Sequence, residues 1–223
     1  MALPVLFEDG EALVIDKPAG LPLDRPRAGG ASLEDQLDAL KLGFQRAPAP
    51  VHRLDRDTSG CLLLARNPKA LKRFAAAFEA REVEKRYLGI VAGTGVADEG
   101  TIALSLAKIS SAEAGWRMIV AKRGKPAVTH WRRLAEHSGL TLVEFRPETG
   151  RTHQIRVHAR AAFGAGLLGD PVYGEGDARP MAFGAARTML HAAEIRLPRI
   201  GKPPIHALAP LPGDFAALGF AGG

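Results

Sequence analysis

Short apolar runs separated by tight turns recur along this chain, and they most strongly limit the folds it can adopt. The runs at 3–7 and 12–15 flank Asp9-Gly10, a dipeptide that favours a hairpin. Three more runs follow at 116–120, 127–136 and 140–145, the last two joined by Ser138-Gly139. Further strands are predicted at 85–91, 190–197 and 203–208. Successive strands between hairpin turns indicate an α+β fold with a predominantly antiparallel mixed sheet flanked by helices.

Three segments have helical patterns. Ser32, with Asp35 three positions later, predicts a capped helix that ends near residue 42. Asn67 before Pro68 predicts a second helix that ends near residue 81. A third is expected at 152–163, with a basic face and an apolar face: His153, Arg156 and Arg160 against Ile155, Ala159 and Ala162.

The amino-acid composition indicates the cellular compartment and the kind of binding partner. The chain has 223 residues, 46% of them hydrophobic, which is enough for a packed core. Its 30 Lys and Arg against 24 Asp and Glu give a net charge of +6, which favours a polyanionic partner. The single cysteine, Cys61, lies in an apolar run, so we expect a small buried hydrophobe in a reducing compartment.

The chain is expected to form one domain over residues 1–223, because no internal repeat, low-complexity tract or long linker interrupts it. The N-terminus lacks a signal pattern, and no apolar run of about 18 residues occurs. We therefore expect a soluble, cytoplasmic protein, and a monomer.

The segment 51–60 carries the residue of greatest chemical interest. Asp55 stands between Arg53 and Arg56, just before a Thr-Ser-Gly turn that leads into the apolar run 61–65. This order is typical of a loop that opens onto a buried strand. An aspartate beside two arginines is most often part of a structural ion pair, so the charges alone do not indicate catalysis.

The order His-Arg-Leu-Asp-Arg-Asp-Thr-Ser-Gly at 52–60 resembles the first signature of RNA pseudouridine synthases, specifically of the RluA branch, in which the Asp of His-Arg-Leu-Asp is catalytic. His52 points to that branch, because the related RsuA branch has glycine at this place. Three further segments match: Lys-Arg-Tyr at 85–87, Gly-Arg-Thr-His-Gln-Ile-Arg-Val-His at 150–158, and Leu-His-Ala at 190–192. Many members of the family carry an S4-type RNA-binding domain ahead of the catalytic one; none is expected here.

The resemblance implies isomerisation of uridine to pseudouridine in ribosomal or transfer RNA, without a cofactor or metal. Asp55 would be the catalytic carboxylate, attacking C1′ of the sugar, attacking C6 of the base, or removing the 2′ proton; the sequence leaves these routes open. Arg53 would fill the gap left by the flipped base. Tyr87 would stack on the target uracil, Arg156 would pair with Asp55, and Leu190 would form an apolar wall opposite the tyrosine.

Other interpretations of the same residues stay open at this point. Taken alone, Tyr87 and Leu190 fit ordinary strand positions, and the basic helix face fits a solvated or phosphate-binding surface. Two other classes compete: an RNA-binding module without chemistry, and a glycoside hydrolase that uses Asp55 and Asp57 as a carboxylate pair.

Two local patterns complete the expectations. His153 and His158 are five positions apart and miss the i, i+4 spacing of a helical zinc pair, so no metal site is expected. In the segment 164–171, relatives often have a polar residue and a proline where Ala165-Gly166 stand. We expect a looser loop there that touches none of the four signatures.

Overall fold

The computed structural model describes residues 3–111, 115–174 and 183–220. Its strands are β1 (Val5–Glu8), β2 (Ala12–Lys17), β3 (Ala49–Pro50), β4 (Ser59–Ala65), β5 (Glu84–Ala92), β6 (Glu99–Ala103), β7 (Leu106–Ser111), β8 (Gly115–Val120), β9 (Val128–His137), β10 (Leu140–Pro147), β11 (Leu190–Leu197) and β12 (Ile205–Leu208). Its helices are α1 (Pro68–Glu79), α2 (Gln154–Phe163) and α3 (Gly213–Ala217), with 3-10 turns at Glu34–Gln36 and Ala39–Lys41. The predicted α+β class with a mostly antiparallel sheet is confirmed.

The described residues form two compact units. The first holds the residues up to Lys85 together with His191–Pro210, and the second holds Arg86–Leu190 and the residues from Leu211 onward. The chain passes from one unit to the other within β5, at the start of β11 and between Pro210 and Leu211. A single domain over the whole chain stays a prediction.

The strands of the first unit place the end of the 51–60 segment beside the start of β11. β1 and β2 form the predicted hairpin, and β2 pairs antiparallel with β4 so that Lys17 lies opposite Gly60. β11 runs parallel to β4, with His191 opposite Ser59, and pairs antiparallel with β12. This parallel contact joins two of the four signatures.

Helix α1 covers one face of this sheet. Asn67 caps it as predicted, because its side-chain oxygen accepts a hydrogen bond of 2.9 Å from the backbone N–H of Ala70. The helix ends at Glu79, two residues before the predicted end. Phe74, only 1% exposed, packs in one cluster with Leu63 and Cys61 of the fully buried strand β4. Replacing such a phenylalanine by alanine typically costs about 3–5 kcal/mol.

The second unit contains an antiparallel sheet in the order β5, β10, β9, β6. Ser138 and Gly139 close the β9–β10 hairpin with φ angles of 48° and 81°, as a two-residue turn of this kind requires. Along β10, Val143 shares a cluster with Ile155 of α2, whereas Leu142 shares another with Phe215 of α3. Both faces of this strand are covered, and every residue of the strand except Arg146 is buried.

The prediction of a helix that begins after Ser32 and ends near residue 42 is wrong. Ser32 and Asp35 do form the expected reciprocal pair, since the backbone N–H of Ser32 donates to the Asp35 carboxylate at 3.0 Å and that of Asp35 to the Ser32 hydroxyl at 3.4 Å, but two 3-10 turns follow. Leu33 and Leu40 are buried while Leu42 is 43% exposed, so little packing favours a continuous α-helix. The chain turns away at Leu42, whose φ of 46° is left-handed.

Strands β3, β6 and β7 were not predicted. The exposure of β6 alternates, but its two inward positions are Gly100 and Ile102, so only one large apolar residue marks the pattern in the sequence. Within the described part of the chain, no helix has the length and apolar character needed to cross a membrane.

Candidate active site

The loop that carries Asp55 is fixed by hydrogen bonds from outside it. The backbone N–H of Thr58 donates to the carbonyl of Asp55 at 3.1 Å, which closes the turn. The carbonyl of Arg56 accepts from the backbone N–H of Gly20 and from the ammonium of Lys17, both at 2.9 Å. The residue next to Asp55 is therefore held from two directions, while Asp55 itself stays partly exposed.

Lys17 is an anchor that the sequence analysis did not single out. Its side chain is fully buried, and its ammonium also donates to the carbonyls of Pro18 and Leu21 at 2.8 and 2.9 Å. An ammonium has three donors, and these bonds with that to Arg56 use all of them. Lys17 thus joins the segment 18–21 to the Asp55 loop.

His52 is a second anchor of the loop. Its Nε2 accepts a hydrogen bond of 3.0 Å from the backbone N–H of Leu63, and its ring stacks on Phe78 with centroids 4.9 Å apart. Burial, and after it the charge of Lys85, lowers the pKa of His52 to about 3. The ring is therefore neutral at physiological pH and acts as an acceptor that ties the loop to β4.

The Thr-Ser-Gly turn after the loop depends on its glycine. Gly60 has a φ of 105°, and a Cβ there would lie 2.2 Å from the carbonyl oxygen of Ala192. Next to it, the hydroxyl of Ser59 is 2.9 Å from Nδ1 of His191 in a buried contact. The first and fourth signatures are thus joined directly in the first unit.

Arg53 points into solvent. Its guanidinium lies 2.8 Å from the carboxylate of Asp24, and the two side chains are 74% and 71% exposed. An exposed ion pair of this kind contributes about 0–1 kcal/mol, so the guanidinium can exchange this partner for another at little cost.

Arg156 is buried. The alternative interpretation of this residue, as part of a solvated basic helix face, is therefore excluded. Arg156 is 7% exposed and makes a two-pronged ion pair with Asp170, with Nε to Oδ2 at 2.7 Å and Nη2 to Oδ1 at 2.8 Å. Burial alone would raise the pKa of Asp170, but the bonds and charge of Arg156 and the backbone N–H groups of Val172 and Tyr173 lower it.

Asp170 corrects the expectation for the segment 164–171. The segment contacts the third signature through this carboxylate, so the prediction that it touches none of the four is wrong. It is not loose either, since a Cβ on Gly166 would lie 2.2 Å from the carbonyl oxygen of Tyr173. In the sequence, Asp170 stands between a glycine and a proline, a pattern that indicates only a turn. Its ion pair with Arg156 could therefore not be predicted from the sequence.

Tyr87 and Leu190 are brought together in the second unit. Leu190 is 4% exposed and belongs to a hydrophobic cluster against which Tyr87 packs. Phe145, which lies opposite Tyr87 in the β5–β10 pairing, belongs to the same cluster. The roles predicted for Tyr87 and Leu190 on opposite faces of the target uracil stay a prediction.

The remaining predicted partners are divided between the units. Asp55 and Arg53 belong to the first unit, while Tyr87, Arg156 and Leu190 belong to the second. The pairing of Asp55 with Arg156 therefore stays a prediction.

Cys61 does not offer a reactive thiolate. Burial, and after it the charge of Asp16, raises the pKa of the Cys61 thiol to about 12, so the sulfur stays protonated. Its interpretation as a small buried hydrophobe is confirmed.

Among residues 3–111, 115–174 and 183–220, no group of three or more His, Cys, Asp or Glu is placed to hold a metal ion.

Comparison with known proteins decides the family. The family model described as RNA pseudouridylate synthase matches residues 11–161, more than half of the chain. The chain belongs to the RNA pseudouridine synthases. It is 52% identical over 220 residues to an uncharacterized RNA pseudouridine synthase of Zymomonas mobilis, with 99% of each chain covered.

A second relative supports the predicted RluA branch. The synthase is 38% identical over 226 residues to ribosomal large subunit pseudouridine synthase D of Nitrosomonas europaea, covering 97% of this chain and 64% of that protein. Human RNA pseudouridylate synthase domain containing 4 shares the fold, with a TM-score of 0.78, 24% identity, and coverage of 96% and 91%. The synthase is an isomerase that acts on RNA, which excludes the hydrolase and the module without chemistry.

Proposed function

We propose that the synthase converts specific uridines in structured ribosomal or transfer RNA to pseudouridine, with Asp55 as the essential carboxylate. The name of the Nitrosomonas relative supports ribosomal RNA of the large subunit as the first substrate to test. The net charge of +6 fits a polyanionic substrate of either kind.

The anchored loop is the observation that carries this proposal. A catalytic group must be held close to its productive position, and the main chain around Asp55 is fixed by Lys17, His52 and the turn at Thr58. The charged side chain remains partly exposed on this rigid support. Attack on C1′, attack on C6 and removal of the 2′ proton all need the ionised carboxylate, so one substitution tests them together.

The proposed reaction exchanges one bond for another. The bond between N1 and C1′ breaks, a bond between C5 and C1′ forms, the proton on C5 passes to the solvent, and N1 takes up a proton, so the product has the mass of the substrate. No oxidant or reductant enters, and we propose that neither a cofactor nor a metal is needed. Tritium placed on C5 of uridine would therefore appear in the solvent as the product forms, and its release should continue in excess EDTA once the RNA is folded.

We propose that the other site residues act on the flipped nucleotide. Arg53 would enter the gap left in the RNA stack, which its exposed and weak pair with Asp24 permits. Tyr87 and Leu190, which share one apolar cluster, would contact the two faces of the uracil. Arg156, held rigidly by Asp170, would orient the carboxylate of Asp55.

The decisive experiment compares Asp55→Asn with Asp57→Asn. Each change removes one negative charge at nearly constant size, and the two positions lie two residues apart in the same loop. Tritium release under single-turnover conditions should be abolished in the Asp55 variant, while filter retention of the RNA survives. The Asp57 variant should keep substantial activity. A rate near wild type for Asp55→Asn would refute the assignment.

The substrate can be identified separately. Carbodiimide labelling of total RNA from cells with and without the gene would show which pseudouridines disappear. Loss from large-subunit ribosomal RNA supports the first substrate, and loss from transfer RNA selects the second. A monomeric state, a cytoplasmic location and a single catalytic domain over residues 1–223 also stay predictions.

A further inference from the structure

Trp116 is a large aromatic residue on the surface of the second unit. It lies on strand β8, which pairs with β7 in a separate antiparallel hairpin. Met118, two residues further along β8 and on the same face, is buried in a cluster with Val157 of α2. On this face of β8, Met118 is therefore buried against other residues of the second unit, whereas Trp116 is 48% exposed.

The exposed ring is held in a fixed orientation. It stacks on His153 with centroids 5.0 Å apart and planes 27° from parallel. Nδ1 of His153 lies 2.9 Å from the hydroxyl oxygen of Tyr173, and that oxygen accepts a hydrogen bond of 2.9 Å from the backbone N–H of Met118. The hydroxyl of Tyr173 and the imidazole of His153 are therefore within hydrogen-bonding distance, and this contact fixes the orientation of the imidazole plane.

Tyr173 in turn contacts Arg156, a residue of the third signature. The guanidinium of Arg156 lies 5.0 Å from the centroid of the Tyr173 ring, and Tyr173 is 8% exposed. Trp116, His153, Tyr173 and Arg156 thus form one continuous series of contacts from the surface to the buried arginine. The exposed ring belongs to the same packed assembly as the residue proposed to orient Asp55.

A positive charge accompanies the ring. The ammonium of Lys108 lies 5.0 Å from the centroid of the Trp116 ring. A cation over an exposed aromatic face is held more weakly than a nucleic-acid base stacked on one. A base can therefore displace the ammonium, and the flexible lysine side chain is then positioned to bind the phosphate of that nucleotide.

We propose that Trp116 is a stacking platform for a base of the RNA substrate outside the target uridine, with Lys108 at the adjoining phosphate. This inference rests on the proposed function for RNA as the substrate. It assigns a binding role to residues that none of the four signatures contains.

A fluorescence titration tests the stacking directly. The protein has two tryptophans, so Trp131→Phe leaves Trp116 as the single emitter. Trp131 packs edge-on against Phe163, a contact that a phenylalanine can largely replace. Titration with a single-stranded oligouridylate should quench Trp116, and added salt should reverse the quenching. Binding of the oligouridylate without quenching would overturn the proposal.

A set of variants tests the contribution to affinity. Trp116→Ala should weaken RNA binding by about 5- to 150-fold, since one base loses its stacking partner, while Trp116→Phe should retain most of the affinity. Ile109→Ala is the matched control, because Ile109 is 37% exposed and lies on the opposite face of the hairpin. Equal dissociation constants for Trp116→Ala and Ile109→Ala would overturn the proposal. If Trp116→Ala does not fold, the quenching experiment decides.

Failure of this inference can be told apart from failure of the proposed function. Absence of tritium release from the wild type on every RNA would refute the proposed function. Release by the wild type, combined with an unchanged dissociation constant for Trp116→Ala, would refute only the platform.

Discussion

The neutral state of His52 makes the stability of the synthase sensitive to acid in a defined window. The pKa of His52 is lowered from 6.5 to about 3 in the folded protein, first by burial and then by Lys85. In the unfolded chain the ring binds a proton near pH 6.5, while the folded ring stays neutral. The unfolded state therefore holds more protons between these values, and the free energy of unfolding decreases as the pH falls through this window.

The expected loss of stability is a substantial fraction of the stability of a domain. Each pH unit below about 6.5 removes about 1.4 kcal/mol from the free energy of unfolding through this one ring. From about pH 7.5 to 4.5 the loss amounts to about 2.7 kcal/mol, against a total stability of about 5–15 kcal/mol. Above about pH 7.5 the ring contributes almost no pH dependence.

The matched variant is His52→Gln, whose side-chain oxygen can still accept from the backbone N–H of Leu63 but does not titrate. Urea unfolding followed by circular dichroism, from about pH 7.5 to 4.5, gives the unfolding free energy of both proteins. Other titrating groups cancel in the difference. The advantage of the wild type at neutral pH should shrink by about 1.4 kcal/mol per unit below about pH 6.5. A difference that stays constant over the whole range would refute the buried, neutral histidine.

Further substitutions test the rest of the site. Gly60→Ala should lower the free energy of unfolding by more than about 1 kcal/mol, because the φ of 105° disfavours a side chain and the Cβ meets the main chain of β11; chemical denaturation measures it. Asp170→Asn should cost about 3–5 kcal/mol by removing the buried carboxylate charge that pairs with Arg156, whereas the exposed Asp24→Asn should cost less than about 1 kcal/mol in the same assay. Tyr87→Phe should keep RNA affinity, while Tyr87→Ala should weaken engagement of the flipped base by about 1–3 kcal/mol; a wild-type single-turnover rate for the alanine variant would contradict stacking.

Local patterns predicted the elements whose stability is decided locally. The Asn67 cap and the Ser138-Gly139 turn have specific backbone requirements that few residue types meet, so their sequences identified them. The buried strand β4 was equally clear from its apolar run. The first predicted helix was wrong because a correct cap is not enough when few of the following residues can be buried.

Long-range partners were beyond the sequence. Nothing in the order of residues marks Lys17 as a buried anchor, since a lysine beside a proline is ordinarily exposed. The same holds for Asp170, which reaches Arg156 only after the chain has folded back over α2. The family signatures identified residues of interest but not what holds them in place, because that depends on contacts between distant segments.

The contact of Ser59 with His191 spans 132 positions of the chain. During synthesis, the aspartate loop leaves the ribosome long before the strand that lies parallel to β4 has been made. Contacts of such wide separation form late and slow the folding of a chain. The turn after Asp55 therefore reaches its final packing only after residue 191 has been synthesised, and a ribosome that stalls before residue 191 displays the signature loop without the segment that secures it.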